Sequence, residues 1–487
     1  MRAGWGLLRR RDFGLLWAGG LISETGDWFL LVGLPVWVLQ LTGSSLVTAS
    51  VFLVGLLPGL VMGPLAGVLV DRWDRRRTLV AVSLAQAVFL LPLLAVDGRD
   101  RLWIVYLVMA VEAALAQLND PARNALVPAM VARDELVGAN ALIGLNGNLA
   151  RLAGSPLGGV LVEVAGLPGL VVGDAASFLL GAALIALVGP SVGSRRSLGP
   201  RGSLGLRRIL DPRGSLGPRG SLGPRRSLGP RRSRPWRRQG PRRGSVADRP
   251  EGGAGLSTAR PAGGAGLSTA LGREWLDGLR AVLGDRELRW GLVVNGLAGV
   301  AQGIFTVLFV LFVTRELGGD GADVGLLRGV QAVGGLLGGV LVVALARRTV
   351  AARLLGLSLL AFAAVDLAIW NGPLVTTAGW LYLGLFVAAG IPGVGVLTGL
   401  TSLVQERTDE AYLGRVFATY LGSFNGSMAL GMLLAGLLGD AVGVVAVLNG
   451  QAGLYLLAGL VAMATLGRRV EPDPYPRVSK RARMPLA

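Results

Sequence analysis

Long apolar runs, each about the length of a membrane-spanning helix, dominate the pattern of the chain. A helix that crosses a bilayer needs about 20 mostly apolar residues. Six runs precede residue 190 and six follow residue 290; they cover residues 13–41, 46–70, 77–96, 102–119, 141–163, 168–189, 291–314, 324–346, 350–370, 374–403, 416–438 and 441–466. The pattern predicts an all-α integral membrane protein with 12 transmembrane helices in two six-helix halves. The first run is too long for a signal peptide, so it is predicted to be an uncleaved membrane helix.

Arginines at alternate ends of the runs predict the orientation. Arg9–Arg11 precede the first run, Arg75–Arg77 follow the second, and Arg468 and Arg469 follow the last. The intervening connections, such as residues 97–101, are short or charge-balanced. Because basic loops stay on the cytoplasmic side, both termini are predicted to be cytoplasmic.

The segment between the halves, residues 191–270, lacks any such run and is rich in Arg, Gly, Pro and Ser. Its residues 195–236 repeat with a six-residue period, and residues 195–249 contain 17 Arg and 2 Asp, most of the net charge of +18. This composition predicts a disordered cytoplasmic linker expanded by duplication. Adhesion to anionic lipid is an alternative. Nucleic-acid binding is not expected, since only Trp236 adds an aromatic ring.

The chain is thus divided into a first half, a linker, a second half and a tail. An interfacial helix is predicted at 273–290, where apolar and charged positions alternate at helical spacing. The predicted boundaries are 1–190, 191–270, 271–467 and 468–487.

Composition limits the chemistry of the protein. Hydrophobic residues make up 52% of the chain and charged residues 16%, against about 25% charged in soluble proteins. The absence of Cys and His excludes disulfides, and thiolate or imidazole chemistry. No nucleotide-binding loop or nucleophile–base set is recognisable, so no enzyme activity, metal or cofactor is predicted. Proton chemistry near neutral pH would have to use carboxylates.

Four ionisable residues are predicted near mid-membrane. Glu24 and Asp27 share one face of the first helix, Glu112 lies in the fourth run and Arg151 in the fifth. Each charge there costs roughly 2.5–3.5 kcal/mol, so these groups should face one another or a wet cavity. Either a carboxylate carries a proton, or the groups form a fixed polar cluster that holds the helices together.

Other polar residues within the runs have weaker signals. Gln302 and Asn425 lie near mid-depth in the second half, where substrate contact or helix packing are both possible. Asp174 opens the sixth run and is predicted to be an N-cap. Asp366 lies near the outer end of the ninth run and is expected to be wetted.

A candidate gate follows the second run. Glycines spaced by four residues lead to Asp71, which is followed by a short basic loop. Such a charged loop can bind one arrangement of helices and release another; the alternative is that it only anchors the helix. The candidate gate residues here are Gly67, Asp71, Arg72, Arg75 and Arg76.

This motif, Gly67-x-x-x-Asp71-Arg72-x-x-Arg75-Arg76, resembles the loop signature of the major facilitator superfamily. Asp74 departs from the family pattern, which has glycine there. Residues 15–29, 119–142, 148–159 and 403–418 are similar to the bacterial efflux branch that contains macrolide and siderophore exporters. The resemblance implies that Asp120 and Arg123 meet the basic loop. It also implies a kink in the fifth helix, at Gly154, Pro156, Gly158 and Gly159.

The resemblance further implies a secondary active transporter of the bacterial inner membrane. It would export small amphiphilic or hydrophobic compounds by proton antiport with alternating access, as a monomer among membrane lipids. Uptake or lysophospholipid-type transport is the main alternative. A non-transporting scaffold that uses the basic linker is a second alternative.

Overall fold

The computed structural model describes residues 6–189, 276, 278–346, 349–410 and 412–466, and only the backbone of residues 60–61, 63–69, 71–72 and 345–346. Within these ranges the fold is helical. The main helices are α1 Arg11–Thr42, α2 Ser45–Arg72, α3 Arg75–Leu90, α4 Leu102–Ala116, α5 Asn119–Met130, α6 Leu136–Ala186, α7 Arg286–Leu311, α8 Gly321–Ala346, α9 Ala351–Asn371, α10 Gly379–Arg407, α11 Leu413–Gly439 and α12 Val444–Thr465. Single turns extend some of them: Leu91–Ala95, Arg99–Arg101, Arg133–Glu135, Phe312–Glu316 and Gly372–Leu374.

The helices bear out the predicted fold class. Ten described helices are long and apolar enough to cross a membrane. Large apolar side chains such as Trp103, Val164 and Val340 stay exposed on the outside of the bundle, as a lipid-facing surface requires. The count of twelve spans remains a prediction, because the two predicted spans 141–163 and 168–189 both lie in α6 and meet at a kink without a loop.

A single glycine divides α6. Gly166 has φ +60° and ψ −157°, a conformation that a side chain would disfavour, and the helix resumes directly after it. The predicted fifth and sixth spans therefore follow each other without a loop. The kink that the sequence predicts at Gly154–Gly159 stays a prediction, since that stretch contains Pro156 inside the helix and keeps helical dihedral angles.

Glycines of that stretch make close helix contacts. A Cβ on Gly154 would overlap the carbonyl oxygen of Thr25 on α1, and one on Gly158 would lie 2.7 Å from Cα of Phe29. On the other side of α6, a Cβ on Gly159 would overlap the carbonyl oxygen of Gly321 on α8. The small residues thus let α6 pack closely against both α1 and α8.

The two halves, α1–α6 and α7–α12, are joined at the end of the bundle that lies away from the arginine clusters, here called the far end. The carboxylate of Glu163 accepts hydrogen bonds from Gln40, at 2.8 Å, and from the backbone N–H of Gly321 in the other half, at 2.8 Å. At the arginine-rich end, the ion pairs between described side chains stay within one half, as in Arg10–Glu135 and Arg407–Glu287.

A second far-end contact, the far-end latch, consists of Gly43, Ser45, Arg315 and Asp440. Arg315 donates to the Asp440 carboxylate at 2.8 Å and to the carbonyl of Gly43 at 2.8 Å. Ser45 donates to the same carboxylate through its backbone N–H, at 2.9 Å, and its hydroxyl, at 2.7 Å. Burial by itself raises the pKa of Asp440, but the bonds from Arg315 and Ser45 outweigh it and hold that pKa below its usual range.

Loss of the latch cation is expected to loosen the far end. In an Ala49→Cys background, where position 49 is fully buried between the halves, we expect Arg315→Gln to raise labelling by a membrane-impermeant maleimide about fivefold. Arg99→Gln is the matched control, because Arg99 bonds carbonyls of its own half. Since a lowered pKa keeps Asp440 ionised, the difference should persist from about pH 5.5 to about pH 7.5. Equal labelling of both variants would refute the latch.

The predicted interfacial helix at 273–290 is only partly as expected. Residues 278–284 are helical, but the chain bends at Asp285, whose side chain caps α7 by accepting from the N–H of Leu288 at 2.9 Å. Val282 is buried against the ends of α10 and α11. The predicted linker and tail lie outside the described residues.

Candidate functional site

Three cavities, each of about 400 Å³, lie along the bundle and share lining residues. The polar pocket, between α1, α3, α4 and α5, contains Glu24 and Arg123. The acidic cavity, between the two halves, contains Asp27 and Glu112. The apolar chamber lies in the second half, among α7 and α9–α12. Asp27 lines both the polar pocket and the acidic cavity, and Gln302 lines both the acidic cavity and the apolar chamber.

Three carboxylates of the first half line the acidic cavity. Asp27 on α1 is exposed to it, whereas Glu112 on α4 and Asp174 on α6 are buried. Oε1 of Glu112 and Oδ2 of Asp174 have no hydrogen-bond partner among the described residues. These atoms could accept a proton or a donor from a ligand. In the described ranges, no group of three or more acidic residues has a metal-binding arrangement.

The position of Asp174 differs from the predicted N-cap. Because α6 resumes directly after Gly166, Asp174 lies inside the helix and not at its start. It faces α1 at Gly26, where a Cβ would overlap the Asp174 carboxylate. The missing side chain of Gly26 thus makes room for the carboxylate.

A half-buried cation on the second half lines the same cavity. The guanidinium of Arg328 on α8 stacks over Phe305, at 5.0 Å from the ring centroid, and Phe309, at 5.8 Å. Sequence reasoning missed this residue, although an arginine inside the apolar run 324–346 was the available signal.

Glu24 and Arg123 form an ion pair in the polar pocket. Arg123 donates to Glu24 on α1 and, at 2.6 Å, to Asp120 one turn away on α5. Among the described side chains, Asp120 and Arg123 pair with each other, and Arg123 also with Glu24, not with Arg75 or Arg76. The Arg123 guanidinium reaches inward to α1, where it lies beside Gly20.

The basic loop binds backbone carbonyls within the first half. Arg75 donates to the carbonyl of Ala125 in the middle of α5, at 2.9 Å, and Arg76 donates to the carbonyls of Ile185, at 3.3 Å, and Ala186 at the end of α6. Cations at helix C-termini are favourable. Asp74, the departure from the family pattern, caps α3 by accepting from the N–H of Arg77. The structure describes only the backbone of the remaining gate candidates, Gly67, Asp71 and Arg72.

Arg151 joins the two halves rather than facing the carboxylates. It donates to the backbone carbonyl of Arg328 at 3.1 Å and to the side chain of Gln331, both on α8, and lies over the Trp28 ring. The sequence predicted that Arg151 faces the three acids or a wet cavity; the hydrogen bonds that the structure gives it are to α8. Its partner is on the other half, which spacing along the chain could not reveal.

Polar residues of the second half differ in their surroundings. Gln302 donates to Thr306 at 3.4 Å and accepts from Tyr455 at 3.3 Å, while it lines two cavities. Asn425 is half-buried and does not line the three cavities. Asp366 is buried, not wetted as expected, because Gln451 donates to it at 2.7 Å.

The comparisons with known proteins agree with this fold. The family model described as Major Facilitator Superfamily matches residues 291–487, and the related model described as Transmembrane secretion effector matches residues 2–197. Together they cover both halves of the chain and leave out most of the predicted linker.

Relatives of known name match parts of the chain. Macrolide efflux protein A of Streptococcus pyogenes is 32% identical over 126 residues, which are 26% of this chain and 31% of that protein. The multidrug efflux pump Tap of Mycolicibacterium fortuitum is 32% identical over 161 residues, which are 31% of this chain and 39% of Tap. The alignments thus span well under half of these relatives.

Solved transporters share the fold over nearly the whole chain. A bacterial homologue of the iron transporter ferroportin has a TM-score of 0.63 in its inward-facing state, at 17% identity, covering 94% of this chain and 99% of that one. Its outward-facing state gives a TM-score of 0.52, at 18% identity, covering 94% and 100%. The nucleoside transporter NupG gives 0.59 at 13% identity, covering 94% and 99%. Because the two family models together match more than half of the chain, the chain is a multi-pass membrane transporter that belongs to the major facilitator superfamily.

Proposed function

We propose that this protein is a secondary active exporter that moves small amphiphilic or hydrophobic compounds by proton antiport. The observation that carries the proposal is the set of three carboxylates, Asp27, Glu112 and Asp174, in a cavity between the halves of a transporter fold. Two of them have buried oxygen atoms without a described partner. Ionisable groups at this depth are costly, and they are usually kept for transport chemistry.

Asp27 is the first choice for the proton carrier. Its side chain is exposed to both the polar pocket and the acidic cavity, so water from either space can reach it. Glu24 is a weaker candidate, because its ion pair with Arg123 already compensates the charge. Glu112 and Asp174 would share or pass on the proton.

The proposed cycle is alternating access in the plasma membrane of a bacterium, with both termini and the arginine-rich end in the cytoplasm. Arginine clusters support this orientation. The far-end latch and the bonds of Glu163 support a conformation that is closed on the outside and open toward the cytoplasm. The export direction is supported by the efflux proteins among the relatives.

The test compares compound accumulation in cells that express the wild type or Asp27→Asn. A panel of dyes and antibiotics, including macrolides, would be measured with and without a protonophore. We expect the wild type to lower accumulation, and we expect both the protonophore and Asp27→Asn to remove at least about 90% of this effect, since proton transfer needs an ionisable group.

Asp97→Asn is the matched control for this test. Asp97 is an exposed carboxylate, which pairs with Arg101 outside the helices, so its replacement should leave export unchanged. Protonophore-sensitive export that survives in Asp27→Asn would refute the role of Asp27. Higher accumulation in cells that express the wild type would favour uptake instead.

A further inference from the structure

We propose that the apolar chamber of the second half binds the uncharged, ring-bearing part of the cargo, apart from the carboxylates of the acidic cavity. This inference rests on the proposed export function and adds to it a site and a chemical class. The chamber is formed by five helices, and aromatic rings contribute much of its wall. Those aromatic residues are Phe362, Phe417, Tyr420, Phe424 and Tyr455.

The two tyrosine hydroxyls of the chamber wall, and the side chains of Asn295 and Gln302, make hydrogen bonds within the protein. Tyr420 donates its hydroxyl to the carbonyl of Leu288 at 2.6 Å, and its own carbonyl accepts from Asn295 at 2.9 Å. Tyr455 donates to Gln302 at 3.3 Å. Among the lining residues that the structure describes there is no charged side chain. A ligand would therefore be held by apolar contact, not by ion pairing.

The size and walls of the chamber favour a ring system. Its volume of about 400 Å³ falls within the range of about 300–1,000 Å³ that is usual for drug-sized ligands. The rings of Phe362 and Tyr455 lie 4.8 Å apart at an interplanar angle of 34°. Such ring faces and edges pack well against a flat or macrocyclic apolar group.

The first half has a cavity at the corresponding place with the opposite chemistry. The polar pocket uses α1, α3 and α4, and the chamber uses the helices at the equivalent positions of the second half, α7, α9 and α10. The polar pocket has the same volume but contains Glu24, Asp120 and Arg123. This contrast assigns proton chemistry to the first half and apolar recognition to the second.

The test uses the natural absence of cysteine from the chain. Thr401→Cys places a thiol in the chamber, and Ser23→Cys places a matched thiol in the polar pocket. Purified full-length protein would be labelled with N-ethylmaleimide, with and without the uncharged dye N-phenyl-1-naphthylamine. At ten times its dissociation constant, the dye should slow labelling of Thr401→Cys about tenfold and leave Ser23→Cys unchanged.

The other outcomes overturn the proposal. The proposal is refuted if the dye slows labelling of both variants, of Ser23→Cys alone, or of neither. Equal protection of Thr401→Cys by dodecanol would identify a lipid-chain site and refute ring recognition. Gly393→Cys is a second reporter in case Thr401→Cys does not fold, because a Cβ there makes an ordinary contact with Phe362 at 3.6 Å.

This binding test stands apart from the export test. It needs no proton gradient and no transport, so protection of Thr401→Cys without export in cells would count against the proposed function alone. Proton-driven export of the dye without protection of Thr401→Cys or Gly393→Cys would count against the chamber alone.

Discussion

A Gly159→Leu variant is expected to be unable to close the far end of the bundle. The Cβ of residue 159 would overlap the carbonyl oxygen of Gly321 and lie 3.1 Å from Cα of Ala322, so the backbone of α8 must move away from α6. Backbone atoms cannot rotate aside as a flexible side chain can. In the Ala49→Cys background, we expect labelling by a membrane-impermeant maleimide to rise at least about tenfold, more than for the latch variant.

Gly144→Leu is the control on the same helix. A Cβ on Gly144 would have no atom within 4 Å, so the larger side chain has space. Labelling at position 49 in the Gly144→Leu variant should therefore equal labelling in the protein that carries Ala49→Cys alone. If Gly159→Leu reaches the membrane at normal levels and position 49 stays unlabelled, the contact between α6 and α8 does not control closure of the far end.

An Arg123→Gln substitution is expected to destabilise the protein, because it leaves the carboxylate of Glu24 without its ion-pair partner. The side chains of Arg123 and Glu24 are only 19% and 23% exposed, so the Glu24 carboxylate would lose its cation in a poorly hydrated place. Removing one partner of a fully buried pair costs about 3–5 kcal/mol, and partial exposure reduces this to about 2 kcal/mol. The measurement is the thermal unfolding midpoint of the purified protein.

The double variant Glu24→Gln with Arg123→Gln separates charge from packing. If the loss comes from an uncompensated carboxylate, the double variant should recover most of the stability, because both charges are then absent. Asp120 is 73% exposed, so Asp120→Asn should change the midpoint little. A double variant as unstable as Arg123→Gln would show that the arginine acts by packing instead.

The helices were predictable from the sequence because a bilayer imposes a length and a polarity on every span. The predicted runs 46–70 and 350–370 differ by only one or two residues at each end from α2 and α9. The link between runs 141–163 and 168–189 was less predictable. A loop and a single glycine in a left-handed conformation give the same local sequence signal, so Gly166 became apparent only in the structure.

The candidate site was predictable in its residue types and less so in its partners. Depth counting found Glu112, whose burial in the acidic cavity fits the expected position. It misjudged Asp174, because an acid near the start of an apolar run has the pattern of a helix cap. The partner of Arg151 lies 180 residues away on the other half, and helix packing across that distance leaves no local pattern.

The glycine at the bend of α6 has a mechanical consequence. The part of α6 before Gly166 carries Gly159 and contacts both α8 and α1, whereas the part after it carries Asp174, which faces α1 at Gly26. A one-residue connection has no slack to absorb a displacement between the two parts. When the two halves move relative to each other during transport, a displacement of α8 should therefore also displace the part of α6 after Gly166, and with it the carboxylate of Asp174.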